Sequence, residues 1–213
     1  MKDLSDGRLL RAWREGQAGA FTEIVFRHQD SLLRHARGTL GPGSAYEDVV
    51  QEVFLKLARE RLVLSSEGQG DAEEERRQLS AWLHTVARNA CMDSIRSETR
   101  RRRREREVAS PERGDGAHDP LEGEDTRAVV ERTLQELPVD QREVLVLRLL
   151  AEKSYREIAE ITGRKIGTVG WLISEGVKAL GARLEPLLAP DAGVPQVAEA
   201  RETGWNAMRG GIR

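Results

Sequence analysis

The stretch Ser154-Tyr155-Arg156-Glu157-Ile158-Ala159-Glu160-Ile161-Thr162-Gly163-Arg164-Lys165-Ile166-Gly167-Thr168-Val169, followed by Gly170-Trp171-Leu172-Ile173-Ser174, constrains this chain more than any other segment. Ser154 and Glu157 are spaced as a capping box: the hydroxyl can accept from the amide of residue 157 while the carboxylate reaches back to the amide of residue 154. A helix therefore starts at Ser154. Ala159 is small where two helices must approach, Gly163 permits the left-handed backbone of a tight turn, and Val169 supplies a branched apolar wedge in the next helix. Ile158, Ile161, Ile166 and Leu172 fill the space between. An ordinary helical hairpin shares parts of this pattern, but the full set at this spacing points to a helix-turn-helix. In that reading the helix from about Ile166 to Leu184 enters a DNA major groove by its N-terminal residues. Lys165, Thr168, Trp171, Ser174 and Lys178 are then candidates for base or phosphate contact, and Arg156 and Arg164 for holding the backbone.

The rest of the chain reads as helix too. Sustained alternation rich in Val, Ile and Thr is missing, and aromatic residues make up only 4% of the 213 residues. Leu9, Leu10, Trp13, Phe21, Ile24, Val25, Leu32 and Leu33 recur at helical spacings. Gly41-Pro42-Gly43-Ser44 stops that run, with Ser44 placed to cap a helix from about Ala45 to Glu60. That helix gathers Val49, Val50, Val53, Phe54 and Leu57 on one side. Ser65 to Glu75 reads as a polar loop, and a long helix with Leu79, Leu83, Val86 and Ala90 inward starts near Gln78.

With a hydrophobic fraction of 38%, two compact modules fit better than one large core. The expected fold is all-α: a first domain over 5–104, a polar linker over 105–125, a second domain over 126–188, and an extension over 189–213. The linker is rich in proline, glycine and charge, too polar to repay the entropy of ordering. The extension holds Val194, Val197, Trp205 and Met208 and suits either a frayed end or a short docking helix.

The net charge of -2 conceals a dipolar chain, because Arg96, Arg100 to Arg104 and Arg106 precede an acidic run of Glu112, Asp115, Asp119, Glu122, Glu124 and Asp125. Local sign matters more than the total for a polyanionic partner. The only cysteine, Cys91, has no second thiol to pair with and suits a buried, inert role, and His28, His35, His84 and His118 lack zinc-site spacing. No metal, cofactor or small-molecule substrate is expected. No run approaches the roughly 20 apolar residues of a membrane span, and Met1 to Gly7 lacks a secretion-signal profile, so a cytoplasmic protein without membrane insertion is expected. Enzymatic chemistry is not indicated, because no nucleophile-base pair or phosphate-cradling glycine loop stands out.

Three segments together resemble the extracytoplasmic-function (ECF) sigma factors, initiation factors of bacterial RNA polymerase. Tyr46-Glu47-Asp48-Val49-Val50-Gln51-Glu52-Val53-Phe54-Leu55-Lys56-Leu57 is similar to the polymerase-binding helix of sigma domain 2. Ala81-Trp82-Leu83-His84-Thr85-Val86-Ala87-Arg88-Asn89-Ala90-Cys91-Met92-Asp93-Ser94-Ile95-Arg96 is similar to the segment family members use on the minus-ten element. Leu137-Pro138-Val139-Asp140-Gln141-Arg142-Glu143-Val144-Leu145, leading into the helix-turn-helix, is similar to sigma domain 4, which reads the minus-thirty-five element. The resemblance covers roughly residues 5 to 188, and the short linker between the modules points to the ECF type.

The resemblance implies core RNA polymerase, promoter DNA and an anti-sigma factor as partners. Asp48, Gln51, Glu52 and Leu55 share a stripe suited to a basic partner helix, and with Phe54 they are implied to support polymerase docking. Thr85, Arg88, Asn89, Met92 and Arg96 share a second stripe, able to read bases and hold phosphates. A flipped base needs a pocket, for which Asn89 is the first candidate. Trp82 either stacks on a base or belongs to the core. Arg100, Arg101 and the arginines that follow are expected to track the backbone.

The chain departs from the family pattern in its second helix, where Gly170, Leu172, Glu175, Gly176 and Val177 stand at positions where basic residues are common. Weak minus-thirty-five binding is one expectation. Altered specificity is the other, with Glu175 accepting from a cytosine amino group. The segment before Trp82 also lacks an aromatic residue that many relatives have. A sigma-like decoy that sequesters an anti-sigma protein without binding promoters remains as a second reading.

Overall fold

The computed structural model describes residues 1–67, 71–108 and 126–188. They form helices α1 (Asp6–Arg14), α2 (Ala18–Leu40), α3 (Tyr46–Glu60), α4 (Ala72–Val108), α5 (Thr126–Gln135), α6 (Val139–Leu145), α7 (Tyr155–Thr162) and α8 (Ile166–Leu188). A π-helical turn, Val146–Leu150, continues α6. No strand occurs among the described residues, as the missing alternation predicts. Helix α4 runs into the expected linker (105–125) as far as Val108, and residues 109–125 and the extension from residue 189 lie outside the described residues.

Apolar side chains gather into two clusters. The first joins α1 to α4 through Leu9, Ile24, Leu32, Val53, Leu57, Leu79, Leu83 and Cys91. The second joins α5 to α8 through Leu134, Leu145, Leu147, Ile158, Ile161, Val169 and Leu172, and it also takes in Ala81 from α4. The clusters meet along a seam. A Cβ on Gly38 would lie 2.6 Å from Leu150 Cδ1 and 3.0 Å from both Val146 methyl carbons, so α2 and the π turn touch backbone to side chain. Around that contact Gln135 donates to the Gly38 carbonyl (2.9 Å), Arg34 to the Leu150 carbonyl (2.6 Å) and Lys153 to Ser80 Oγ (2.7 Å). Arg37–Glu131 (2.8 Å) and Arg77–Glu160 (2.5 Å) add ion pairs across it.

Helix starts separate the legible from the illegible. Ser154 accepts from the Glu157 amide while Glu157 accepts from the Ser154 amide (2.9 Å), and Gly163 ends α7 at φ 68 in the left-handed region. Ser154→Ala is expected to cost about 1 kcal/mol in urea unfolding; an unchanged midpoint would show that the cap contributes nothing. Ser44 instead donates to the Gly41 carbonyl (2.7 Å), and α3 begins after Ala45 with no side-chain cap. Glu47 and Asp48 in its first turn offset the orphan amides electrostatically. The long helix begins at Ala72 rather than near Gln78, because Asp71 Oδ1 accepts from the Glu74 amide (3.0 Å) and Glu73 to Glu75 suit the positive helix end.

The acidic stretch from Glu67 into the first turn of α4, to which the sequence assigns no role, ties α1 down. Glu67 takes Arg11 (3.2 Å) and Arg14, and the buried Glu75 accepts from the Gly7 amide (3.1 Å). Asp6 is buried between His28 (2.8 Å) and Arg27 (3.0 Å). Burial alone would raise its pKa, but those two partners outweigh it and hold the carboxyl below its ordinary value. Cys91 is buried, and desolvation, with Glu143 assisting, pushes its thiol up to about 12, so it stays protonated at neutral pH.

Candidate nucleic-acid and polymerase interface

On α3, Asp48, Gln51 and Glu52 are exposed and Leu55 is 49% exposed, so the polar stripe faces away from the first core. Glu52 has only a loose, exposed pairing with Arg59 (3.6 Å), worth about 0–1 kcal/mol at most, and it remains available. Phe54 corrects the expectation: at 8% exposure it points inward, edge-on to Phe21 (6.5 Å between ring centroids). It can hold α3 in place but cannot form part of a docking face. The reason is periodicity, since Phe54 follows Val50 by four residues and precedes Leu57 by three.

Helix α4 buries Leu79, Leu83, Ala87 and Cys91 and turns a polar side outward. Asn89, Arg96, Arg100 and Arg101 are exposed there, while Thr85 and Met92 are half-buried. Thr85 Oγ1 donates to the Ala81 carbonyl (2.8 Å), which occupies its hydroxyl proton. Trp82 packs half-buried against the first core, matching its core reading rather than a free stacking platform.

Several arginines beyond are paired with acids on the same helix: Arg96 with Asp93 (3.1 Å), Arg101 with Glu98 (2.9 Å) and Glu105 (3.0 Å), and Arg102 with Glu98 (2.8 Å). Arg100 Nε donates to the Arg96 carbonyl (3.3 Å). Hydrogen bonds from Arg101 and Arg102 hold Glu98 down to about 2. Such exposed pairs are weak and salt-screened, so a polyanion can exchange for them.

Arg88 stands apart from this open stripe. It is half-buried, and its Nε donates to Glu143 Oε1 (2.5 Å) on α6. Glu143 is 1% exposed, and its other oxygen lies 3.5 Å from Arg164 in the turn after α7. Arg164 also meets Asp140 (2.6 Å). Nothing in the sequence marks Glu143, a single acid beside Val144, Leu145, Val146 and Leu147, as buried. Only the side-chain contact from α4 to α6 reveals it.

Along α8, Lys165, Thr168, Ser174 and Lys178 are exposed and Trp171 is 61% exposed, a continuous outward row at spacings of three and four. Arg156 on α7 is exposed as well. Glu175 is half-buried and accepts from Lys178 (2.9 Å), which competes with its acting as a base acceptor. Two of the positions that lack a basic residue are structural. Leu172 lies in the second core, and a Cβ on Gly176 would sit 2.9 Å from Leu145 Cδ1. A basic side chain at either position would break packing, so neither bears on affinity for DNA.

The family model described as Sigma-70, region 4 matches residues 127–180, which span α5 to most of α8. The chain is 28% identical to the ECF RNA polymerase sigma factor SigW of Bacillus subtilis over 184 residues, covering 82% of this chain and 94% of that one. It is 28% identical to the ECF RNA polymerase sigma-E factor of Escherichia coli K12 over 203 residues, covering 88% and 98%. Among solved structures it resembles the sigma factor RpoE, in complex with the anti-sigma factor NepR, from Bartonella quintana, with 25% identity and a TM-score of 0.55 over 78% of this chain and 96% of that one. The fold also matches CnrH, in complex with the cytosolic domain of CnrY, at a TM-score of 0.57 and 24% identity over 85% and 97%. With relatives matched over nearly their whole length and both helical clusters represented, these likenesses support the extracytoplasmic-function sigma factors of the sigma-70 family as the kin of this chain.

Proposed function

We infer that this chain is an alternative sigma factor, which binds core RNA polymerase, brings it to particular promoters and helps open them. The observation that carries the reading is near-full-length similarity to curated ECF sigma factors in a chain that presents both an acidic stripe on α3 and a helix-turn-helix. Residues 5–104 act as sigma domain 2, 105–125 as the linker and 126–188 as sigma domain 4. Asp48, Gln51, Glu52 and Leu55 dock on the polymerase. Arg88, Asn89, Met92, Arg96, Arg100 and Arg101 serve the minus-ten element, with Thr85 and Trp82 shaping the surface beside them. Lys165, Thr168, Trp171, Ser174 and Lys178, flanked by Arg156 and Arg164, serve the minus-thirty-five element.

The chain is not itself an enzyme. RNA synthesis belongs to the polymerase, and this subunit contributes binding energy and strand separation in the cytoplasm, where the polymerase works. Among the described residues no helix is long and apolar enough to cross a membrane. By similarity to the RpoE complex, an anti-sigma protein is its regulatory partner.

The test is complex formation with purified core polymerase, wild type against Asp48→Lys with Glu52→Lys. Placing like charges at a complementary interface costs several kcal/mol, so binding should fall on the order of 100-fold or more. A wild-type chain that does not bind core polymerase would favour the decoy reading instead.

A further inference from the structure

The two elements assigned to DNA are joined by one buried carboxylate. Arg88 lies on the minus-ten helix and Arg164 in the turn of the helix-turn-helix, and Glu143 contacts both, at 2.5 Å and 3.5 Å. To a guanidinium, a carboxylate presents what a phosphate does: a pair of anionic oxygens in hydrogen-bond reach. We propose that Glu143 is an intramolecular latch that withholds Arg88 from DNA and keeps the two DNA-binding elements together until the seam opens. This rests on reading Arg88 as a promoter contact.

Three features make the contact a switch rather than a fixed bond. Breaking a buried ion pair is costly when a charge is left unpaired. Here Glu143 retains Arg164 when Arg88 leaves, and Arg88 gains a phosphate, so neither charge is orphaned in the open state. Much of the rest of the seam is polar: Lys153 to Ser80, Arg77 to Glu160, Arg37 to Glu131 and Gln135 to the Gly38 carbonyl. Polar contacts can be exchanged for water or for a polyanion more cheaply than apolar ones, as at transient interfaces. Lastly, Gly38 allows a close approach of α2 to the π turn that any side chain would prevent.

The test uses the full chain and a fluorescein-labelled 20-nucleotide single strand of mixed sequence at low salt. Binding is read by anisotropy for wild type, Glu143→Gln and Gly38→Leu, each with and without Arg88→Ala. Gly38→Leu pries the seam without changing any charge, so it stands in should Glu143→Gln disturb the fold. Circular dichroism checks that each variant is helical. If the open form is a minor species, freeing it should tighten binding on the order of tenfold. We expect both seam variants to show that gain, and Arg88→Ala to abolish it in each of them. The latch is overturned if neither seam variant gains affinity, or if the gain persists once Arg88 is replaced by alanine. Binding to core polymerase through α3 reports separately: a chain that binds core but shows no gain loses the latch and keeps the sigma assignment.

Discussion

Leu83→Ala should lower the free energy of unfolding by about 3 kcal/mol, within the range of roughly 2–5 kcal/mol seen when a buried leucine is truncated. Leu83 is fully buried in the first cluster, on the inner face of α4 with Leu79 and Ala87. Truncation removes apolar area from the core and leaves a cavity that close packing closes only in part. The control is Val63→Ala, since Val63 is largely exposed and should change stability by less than about 0.5 kcal/mol. Urea unfolding monitored at 222 nm distinguishes the two. Equal midpoints for both variants would mean that the inner face of α4 does not carry the load assigned to it. The functional consequence is direct, because the same helix presents Arg88 and Asn89 on its other side.

Acidification should destabilise the protein from about pH 6.5 downward, well before most carboxylates titrate. His35 and His84 are buried side by side, their Nδ1 atoms 3.1 Å apart, with Ser31 on the far nitrogen of His84. Burial, and then the positive charges of Lys153 and Arg88, lower His35 to about 3. His84 falls well below its ordinary value through burial, then His35 and Lys153. Both folded-state values lie under the unfolded value of about 6.5, so the unfolded chain takes up the protons. The stability from keeping these rings neutral is complete above that value and is lost as pH falls toward 3. One such group costs about 1.4 kcal/mol per pH unit, hence about 2 kcal/mol by pH 5. Thermal melts at pH 7.5, 6.0 and 5.0 should show the loss, and His35→Gln should reduce it, leaving the part due to His84. A melting temperature that stays level from 7.5 to 5.0 would refute the assignment.

Where the outcome depends on neighbours a few residues away, the chain was readable from its letters. The capping box at Ser154 and Glu157, the left-handed Gly163 and the inward rows of α3 and α4 follow from spacing and side-chain chemistry, because a helix brings residues three and four apart together. The outward rows that carry the proposed contacts follow from the same periodicity. Helix α4 starts before Gln78, where periodicity puts it, because Asp71 and the three glutamates after it have a loop-like composition while their charges stabilise a helix end.

Residue order and side-chain chemistry suffice for the helical class, the helix-turn-helix and two polar faces set opposite apolar ones. Packing between distant helices is what makes Phe54 core, turns Leu172 and Gly176 toward α6, sets Glu67 and Glu75 to secure α1, and buries Glu143 between Arg88 and Arg164. Local periodicity settles which way a side chain leaves its own helix. What it meets there depends on how helices far apart in sequence pack, and a charge buried between them carries no mark in the residues beside it.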